Sequence, residues 1–121
     1  MEPAVHLGHQ MQVALHVEGA NGEPRTCELW IVEVSGAAYL RALSGVGSWW
    51  YRHVTPTAAQ LWCDEGVVEA RFEPVGDPVL LDRIDAAYEQ KYGLGWPGPV
   101  GFITAPEARR ATLRVITGPS T

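Results

Sequence analysis

The chain has 121 residues, of which 46% are hydrophobic and 19% charged, a balance typical of one globular domain. Its formal net charge is −5, with one lysine and eight arginines that form no basic run. Nucleic acid and anionic membrane surfaces are therefore not expected as partners, because both are bound by clustered positive charge. No apolar run approaches the ~20 residues of a membrane span. The first residues lack a signal-peptide pattern, so a cytoplasmic location is expected.

Alternation of apolar and polar residues, which is the period of a half-buried strand, recurs along most of the chain. Glycine- and asparagine-containing segments at 19–22, 35–36 and 65–66 are predicted turns, and Pro56 is a predicted break between elements. Six strands follow from these signals, at residues 9–18, 26–34, 37–43, 59–63, 67–73 and 111–117.

The period changes to that of a helix after Asp77, which is a good N-cap residue, and Pro78 suits the first helical position. The spacing predicts one main helix near residues 78–92, closed by Gly93 in a left-handed conformation. Residues 94–101 contain three glycines and two prolines and are predicted to be irregular. A capping-box spacing at 104–107 predicts a short helical turn through Arg109.

Six strands and one substantial helix indicate a mostly β (α+β) fold: a small antiparallel barrel forming a single domain over residues 1–121.

Several segments together carry a resemblance to a known bacterial family. They are ELWIVEV (28–34), Tyr39-Leu40-Arg41, Trp50-Tyr51-Arg52, VEARFEPV (68–75), DPVLLDRIDAAYEQKYG (77–93), PEAR (106–109) and TLR (112–114). In this order they resemble the family catalogued as domain of unknown function 2255, over residues 28 to 116. That family is similar to the split β-barrels that bind FMN or deazaflavin, including the nitroreductases.

The resemblance implies a six-stranded split barrel, often dimeric, with a ligand cleft beside it, and a flavin- or deazaflavin-dependent oxidoreductase of the nitroreductase type. The chain departs from its relatives at one point. They typically carry an arginine-serine pair after the tyrosine strand, whereas here Arg41 is followed by Ala42 and Ser44 comes three positions after Arg41. This departure concerns phosphate binding in particular.

Four residues form the predicted cofactor-binding set: Arg41, Ser44, Trp50 and Arg52. A guanidinium fork and a hydroxyl suit a phosphate, the glycine loop at 44–48 allows close approach of the backbone, and an indole can stack on a ring system. The alternative is that both arginines lie at the surface and that Trp50 packs in the core.

The aromatic run at residues 49–51 cannot enter one core from a strand, because neighbouring side chains alternate faces. A pocket or a homodimer interface is therefore expected there, and the sequence leaves both open. His53 and Tyr51 are the candidate catalytic residues, since a histidine can act as a general acid or base near neutral pH and both residues lie in or close to the aromatic segment.

Other chemistries find little support. His6, His9, His16 and His53 lack the spacing and companions of a metal site, so no metal is predicted. Cys27 and Cys63 lie in apolar runs and are expected to be reduced, buried thiols. Three acidic side chains of the main helix, Asp82, Asp85 and Glu89, are expected to face solvent, and Trp96 to plug the barrel end.

Two classes of enzyme and one binding module therefore remain. The first is the flavin- or deazaflavin-dependent oxidoreductase. The second has no cofactor and is a cyclase or isomerase that holds an apolar natural-product intermediate in a reactive shape. The third is a non-catalytic module whose tryptophans anchor a partner. In the first two cases the partner is a small-molecule ligand or substrate.

Overall fold

The computed structural model describes residues 7–18, 24–54, 59–64 and 66–117. The predicted turn at 19–22, the break at Pro56, His6 and Glu65 lie outside the described residues. The strands are β1 (Val13–Glu18), β2 (Pro24–Leu29), β3 (Ile31–Val34), β4 (Ala37–Arg41), β5 (Ala59–Cys63), β6 (Gly66–Pro74) and β7 (Thr112–Thr117). The helices are α1 (Trp49–Val54), α2 (Pro78–Tyr92), α3 (Pro97–Ile103) and α4 (Pro106–Arg110).

The seven strands form one antiparallel sheet in the order β2-β1-β5-β6-β7-β4-β3. Only Trp30 separates β2 from β3 along the chain, yet these strands lie at opposite edges of that order. The sheet must therefore curl until its edges approach each other. The predicted class, mostly β with an antiparallel barrel and one main helix, is confirmed.

The prediction of six strands was wrong by one, because the strand predicted at 26–34 is two strands. Its first half pairs with β1 and its second half with β4. Trp30, between them, is outside the ladder. Local alternation of side chains continues through Trp30 and carries no sign of the change of partner.

Two buried clusters lie on either side of β3 and β4. Leu40 and its neighbours on the even-numbered side of β4 face the barrel interior with Leu15, Leu61 and Leu113. The other side of β4, which includes Tyr39, packs on α2 and α3. Because side chains alternate along a strand, Arg41 points to the same side as Tyr39, toward α2.

The main helix begins as predicted, since the Asp77 carboxylate accepts a hydrogen bond from the Val79 N–H at 3.3 Å and Pro78 occupies the first turn. Its predicted left-handed end was wrong. Gly93 is right-handed, at φ −61° and ψ −35°, and its N–H donates to the Glu89 carbonyl. The chain continues to turn, with the Trp96 N–H donating to the Tyr92 carbonyl at 2.9 Å.

The proline-glycine segment at 94–101 was predicted to be irregular, but α3 begins inside it at Pro97. The first-turn N–H groups of a helix have no intrahelical acceptor, so Pro97 and Pro99 remove no helical hydrogen bond there. The helix predicted after Thr104 is present as α4, without the capping box. The Thr104 hydroxyl instead donates to the Val100 carbonyl at 2.8 Å.

Candidate functional site

The aromatic segment is a helix, and this corrects its interpretation as strand-like. In α1, residues four positions apart share a face, so Trp50 and Val54 are buried together. On another face, the His53 Nδ1 donates to the Trp49 carbonyl at 2.8 Å. The neighbouring aromatic side chains therefore point in different directions because they lie on a helix, and not because they alternate along a strand.

A cavity of about 370 Å³ lies between the end of β2, the segment from β4 to α1, and α3. Its volume is within the range of small-molecule sites in proteins. Its walls are largely apolar and include three of the five tryptophans of the chain. The lining residues are Gln12, Cys27, Glu28, Leu29, Trp30, Arg41, Leu43, Ser44, Ser48, Trp49, Trp50, Pro99 and Ile103.

Three of the four residues predicted to bind a cofactor line this cavity: Arg41, Ser44 and Trp50. The fourth, Arg52, is exposed on α1 and is not among the lining residues. Trp50 is only 4% exposed and belongs to the barrel core as well. The two interpretations of Trp50, ligand contact and core packing, are therefore compatible.

The hydroxyl of Ser48, a residue of the cavity wall, lacks in the described structure the partner that a buried hydroxyl normally has. Its Oγ is buried and, within the described part of the chain, has no hydrogen-bond partner. Leaving a buried hydroxyl unsatisfied costs about 1–3 kcal/mol, and such groups are rare enough that each requires an explanation. A ligand that accepts or donates a hydrogen bond in the cavity is one explanation. Sequence reasoning missed Ser48, because residues 44–48 were interpreted only as a glycine loop that lets the backbone approach a ligand.

Arg41 is held by internal partners. Its side chain is fully buried and its guanidinium donates to the Thr112 hydroxyl at 2.9 Å, the Ile103 carbonyl at 3.2 Å and the Leu81 carbonyl at 3.1 Å. It also forms an ion pair with the Asp85 carboxylate. A guanidinium has five N–H donors, and four of them have these partners.

Asp85 was expected in solvent, and this expectation was wrong. Its side chain is 20% exposed and pairs with both Arg41 and Arg109. Arg109 reaches Asp82 as well, at 3.0 Å, so two carboxylates of α2 anchor α4. These contacts raise the pKa of Arg109 against the lowering effect of burial. The spacing of Asp82 and Asp85 placed them on one helix face, but their partners come from distant parts of the chain.

The two candidate catalytic residues lie beside the cavity rather than on its walls. Tyr51 and His53 are half-buried on α1, and neither is a lining residue. Burial raises the pKa of the Tyr51 hydroxyl. Their catalytic role remains a prediction of the sequence.

The Cys27 thiol belongs to the cavity wall, and the Arg25 cation lies next to it, over Trp49. Cys27 and Cys63 are both free, as expected, but half-buried rather than enclosed. Burial, and then the neighbouring Glu28 charge, raise the pKa of the Cys27 thiol. The exposed Arg25 lies over the Trp49 ring, with its guanidinium carbon 4.0 Å from the ring centroid.

The aromatic residues near α3 form a separate stack. Trp30, which lines the cavity, stacks on Tyr92 with ring centroids 4.1 Å apart. Trp96 packs against Trp30 at 5.8 Å and is 48% exposed, so it covers this stack instead of plugging the barrel interior.

Among the described residues, no group of three His, Cys, Asp or Glu side chains could hold a metal ion. In the same part of the chain, no helix is long and apolar enough to cross a membrane.

Solved structures with similar folds have low sequence identity to the chain. A conserved hypothetical protein from Mycobacterium tuberculosis is 16% identical, with a TM-score of 0.70 over 98% of this chain and 82% of that one. For Campylobacter jejuni ChuZ the identity is 15% and the TM-score 0.65, over 92% of this chain and 48% of that one. An FAD-binding protein from Mesorhizobium loti is 17% identical, with a TM-score of 0.57 over 98% and 91%. At such identities the likeness shows the fold alone.

No curated protein matches the sequence. The family whose model matches is described as "Uncharacterized protein conserved in bacteria (DUF2255)", and the match extends over residues 5–115. That match spans nearly the whole chain and includes every described element that forms the cavity, so the protein belongs to the bacterial DUF2255 family.

Proposed function

We propose that the protein binds a flat, mostly apolar organic molecule in the cavity lined by Trp30, Trp49 and Trp50. The observation that carries this proposal is the cavity itself, about 370 Å³ in volume, with largely apolar walls that include three indoles. The indoles supply contact area within apolar walls. The Ser48 hydroxyl, which has no partner in the described structure, would orient a ligand by one hydrogen bond once its side chain rotates toward the cavity.

The first candidate ligand is the ring system of a flavin or deazaflavin, and the corresponding function is an oxidoreductase. When bound, a flavin supplies hydride and electron transfer. The proposal is supported by the likeness of the fold to an FAD-binding protein. On this chain, the indoles would cover the ring, Ser48 and Ser44 would bond to its polar edge, and the apolar walls would exclude water.

A second candidate, a cyclase or isomerase without a cofactor, is favoured by the state of Arg41. Its guanidinium is largely occupied by internal acceptors, so the cavity offers shape and apolar contact more than charge. Such a site accelerates a reaction by holding the reacting atoms of a flexible substrate close together.

Titration with riboflavin, FMN and a deazaflavin, followed by quenching of tryptophan fluorescence, distinguishes the two candidates. Binding of any of them supports the flavin candidate, and reduction of the bound ring by a nicotinamide donor would support an oxidoreductase. A protein that binds none of them excludes the first candidate.

Two substitutions localise the binding. Ser48→Ala should weaken binding about fivefold to tenfold, the equivalent of one net hydrogen bond. Trp62→Phe is the matched control, because Trp62 is an exposed indole that does not line this cavity. Equal effects of the two substitutions would contradict the assignment of the cavity.

A further inference from the structure

The charges around the cavity are arranged differently from those of a phosphate site. Arg41 and Glu28 are the charged residues among the described side chains that line it. Arg41 already has a carboxylate partner, because its guanidinium forms an ion pair with Asp85. Glu28 contributes a negative charge of its own.

A phosphorylated ligand would find little compensation in this cavity. Four of the five guanidinium donors of Arg41 have protein acceptors. The cation of Arg25 lies over Trp49 but is exposed, where water and salt screen its attraction. The chain as a whole carries a formal charge of −5, which repels anions further.

The groups that remain available are neutral. Ser48 Oγ is buried without a partner in the described structure, and the Ser44 side chain makes no capping hydrogen bond there. Hydroxyls bond well to a carbonyl or a ring nitrogen, and burial of an uncharged polar edge costs far less than burial of an anion.

We infer that the cavity selects an uncharged, non-phosphorylated planar ligand, with Asp85 as the internal counter-ion that prevents Arg41 from binding a phosphate. This inference rests on the proposed function and specifies its ligand class. It also separates this chain from what the split-barrel resemblance implies, since FMN carries a phosphate and the cavity does not fit that group.

Two matched pairs of ligands test the selectivity: riboflavin with FMN, and 2-naphthol with 2-naphthyl phosphate. Within each pair the ring is the same and only the phosphate differs. We expect the neutral member to bind at least about tenfold more tightly, measured by tryptophan quenching at low salt. Protection of the Cys27 thiol from alkylation, in a Cys63→Ser background, shows that the ligand occupies this cavity.

The outcomes separate the inference from the proposed flavin function. Equal or tighter binding of the phosphorylated members would overturn the inference, and loss of that preference in Arg25→Ala would identify Arg25 as the phosphate contact. If neither flavin binds but 2-naphthol is preferred to its phosphate, the selectivity holds and the flavin candidate fails. If no member of either pair binds, both fail.

A substitution at Asp85 tests the cause. Asp85→Asn keeps the shape of the side chain and removes its charge, so the naphthyl phosphate should gain several-fold in affinity relative to 2-naphthol. Asp82→Asn is the control, because the Asp82 carboxylate pairs with Arg109 and not with Arg41. A ratio unchanged in Asp85→Asn, with a folded circular dichroism spectrum, would refute the role of Asp85.

Discussion

Replacing Asp85 by alanine should strongly destabilise the fold. The Arg41 side chain is 0% exposed and loses its only carboxylate partner in the described structure, whereas Asp85 itself is 20% exposed. Removing one member of a buried ion pair costs about 3–5 kcal/mol, because the other charge is left uncompensated. The carbonyls of Leu81 and Ile103 and the Thr112 hydroxyl remain as acceptors, so the lower part of this range, about 3 kcal/mol, is expected.

Urea denaturation followed by circular dichroism measures this cost, which should appear as a lower midpoint with an unchanged slope. Asp82→Ala is the control. Its partner Arg109 is 25% exposed and Asp82 itself 72%, so that pair is worth less than about 1 kcal/mol. Adding Arg41→Met to Asp85→Ala should restore part of the loss, because the uncompensated charge is then removed as well.

The reasoning is refuted if Asp85→Ala and Asp82→Ala destabilise the protein equally. It is also refuted if Arg41→Met makes the Asp85→Ala protein less stable, since the buried charge would then not be the source of the cost.

Three other predictions follow from the site and its surroundings. Trp50→Ala should cost about 3–5 kcal/mol of unfolding free energy, because the Trp50 side chain is only 4% exposed. Trp49 is half-buried, so Trp49→Ala should mainly weaken ligand binding. Equal losses of stability in the two variants would contradict this division. Burial raises the pKa of the Cys27 thiol, so iodoacetamide should alkylate Cys27 more slowly in the folded Cys63→Ser protein than in urea at pH 8, and equal rates would count against it. Burial lowers the pKa of Lys91 from 10.5 to about 8, so this side chain binds more protons in the unfolded chain between these values, and its own contribution to stability should rise with pH from about 8 to 10. Lys91→Met should lack this rise in urea midpoints, and parallel pH profiles would refute it.

The strands and the main helix could be predicted because their signals are local. Val13, Leu15 and Val17 alternate with outward residues, and burial follows that alternation in β1. Asp77 and Pro78 mark the start of α2 for reasons confined to one helical turn: a side-chain acceptor for a free N–H and a fixed backbone angle. The family resemblance could also be recognised from the sequence, because the segments that carry it follow one another along the chain in the same order as in the family.

The errors occurred where a local rule has more than one outcome. A serine, tryptophans and a tyrosine in sequence carry no strong period over six residues, so α1 was indistinguishable from a strand-like segment. Proline disrupts the interior of a helix but is favourable in its first turn. Because Pro97 and Pro99 lie in the first turn of α3, they are compatible with a helix in a segment that was predicted to be irregular.

The cavity itself depended on contacts between distant residues. Arg41, Ser44 and Trp50 could be selected from the sequence by residue type, and they do line one cavity. That Arg41 is paired with Asp85, 44 residues away, and that Ser48 Oγ is buried without a partner in the described structure, are properties of packing. The sequence alone determined the class of the fold, its main helix and part of the cavity wall. Only the tertiary structure decided which charges remain available to a ligand, because an ion pair forms between side chains that the folded chain brings together.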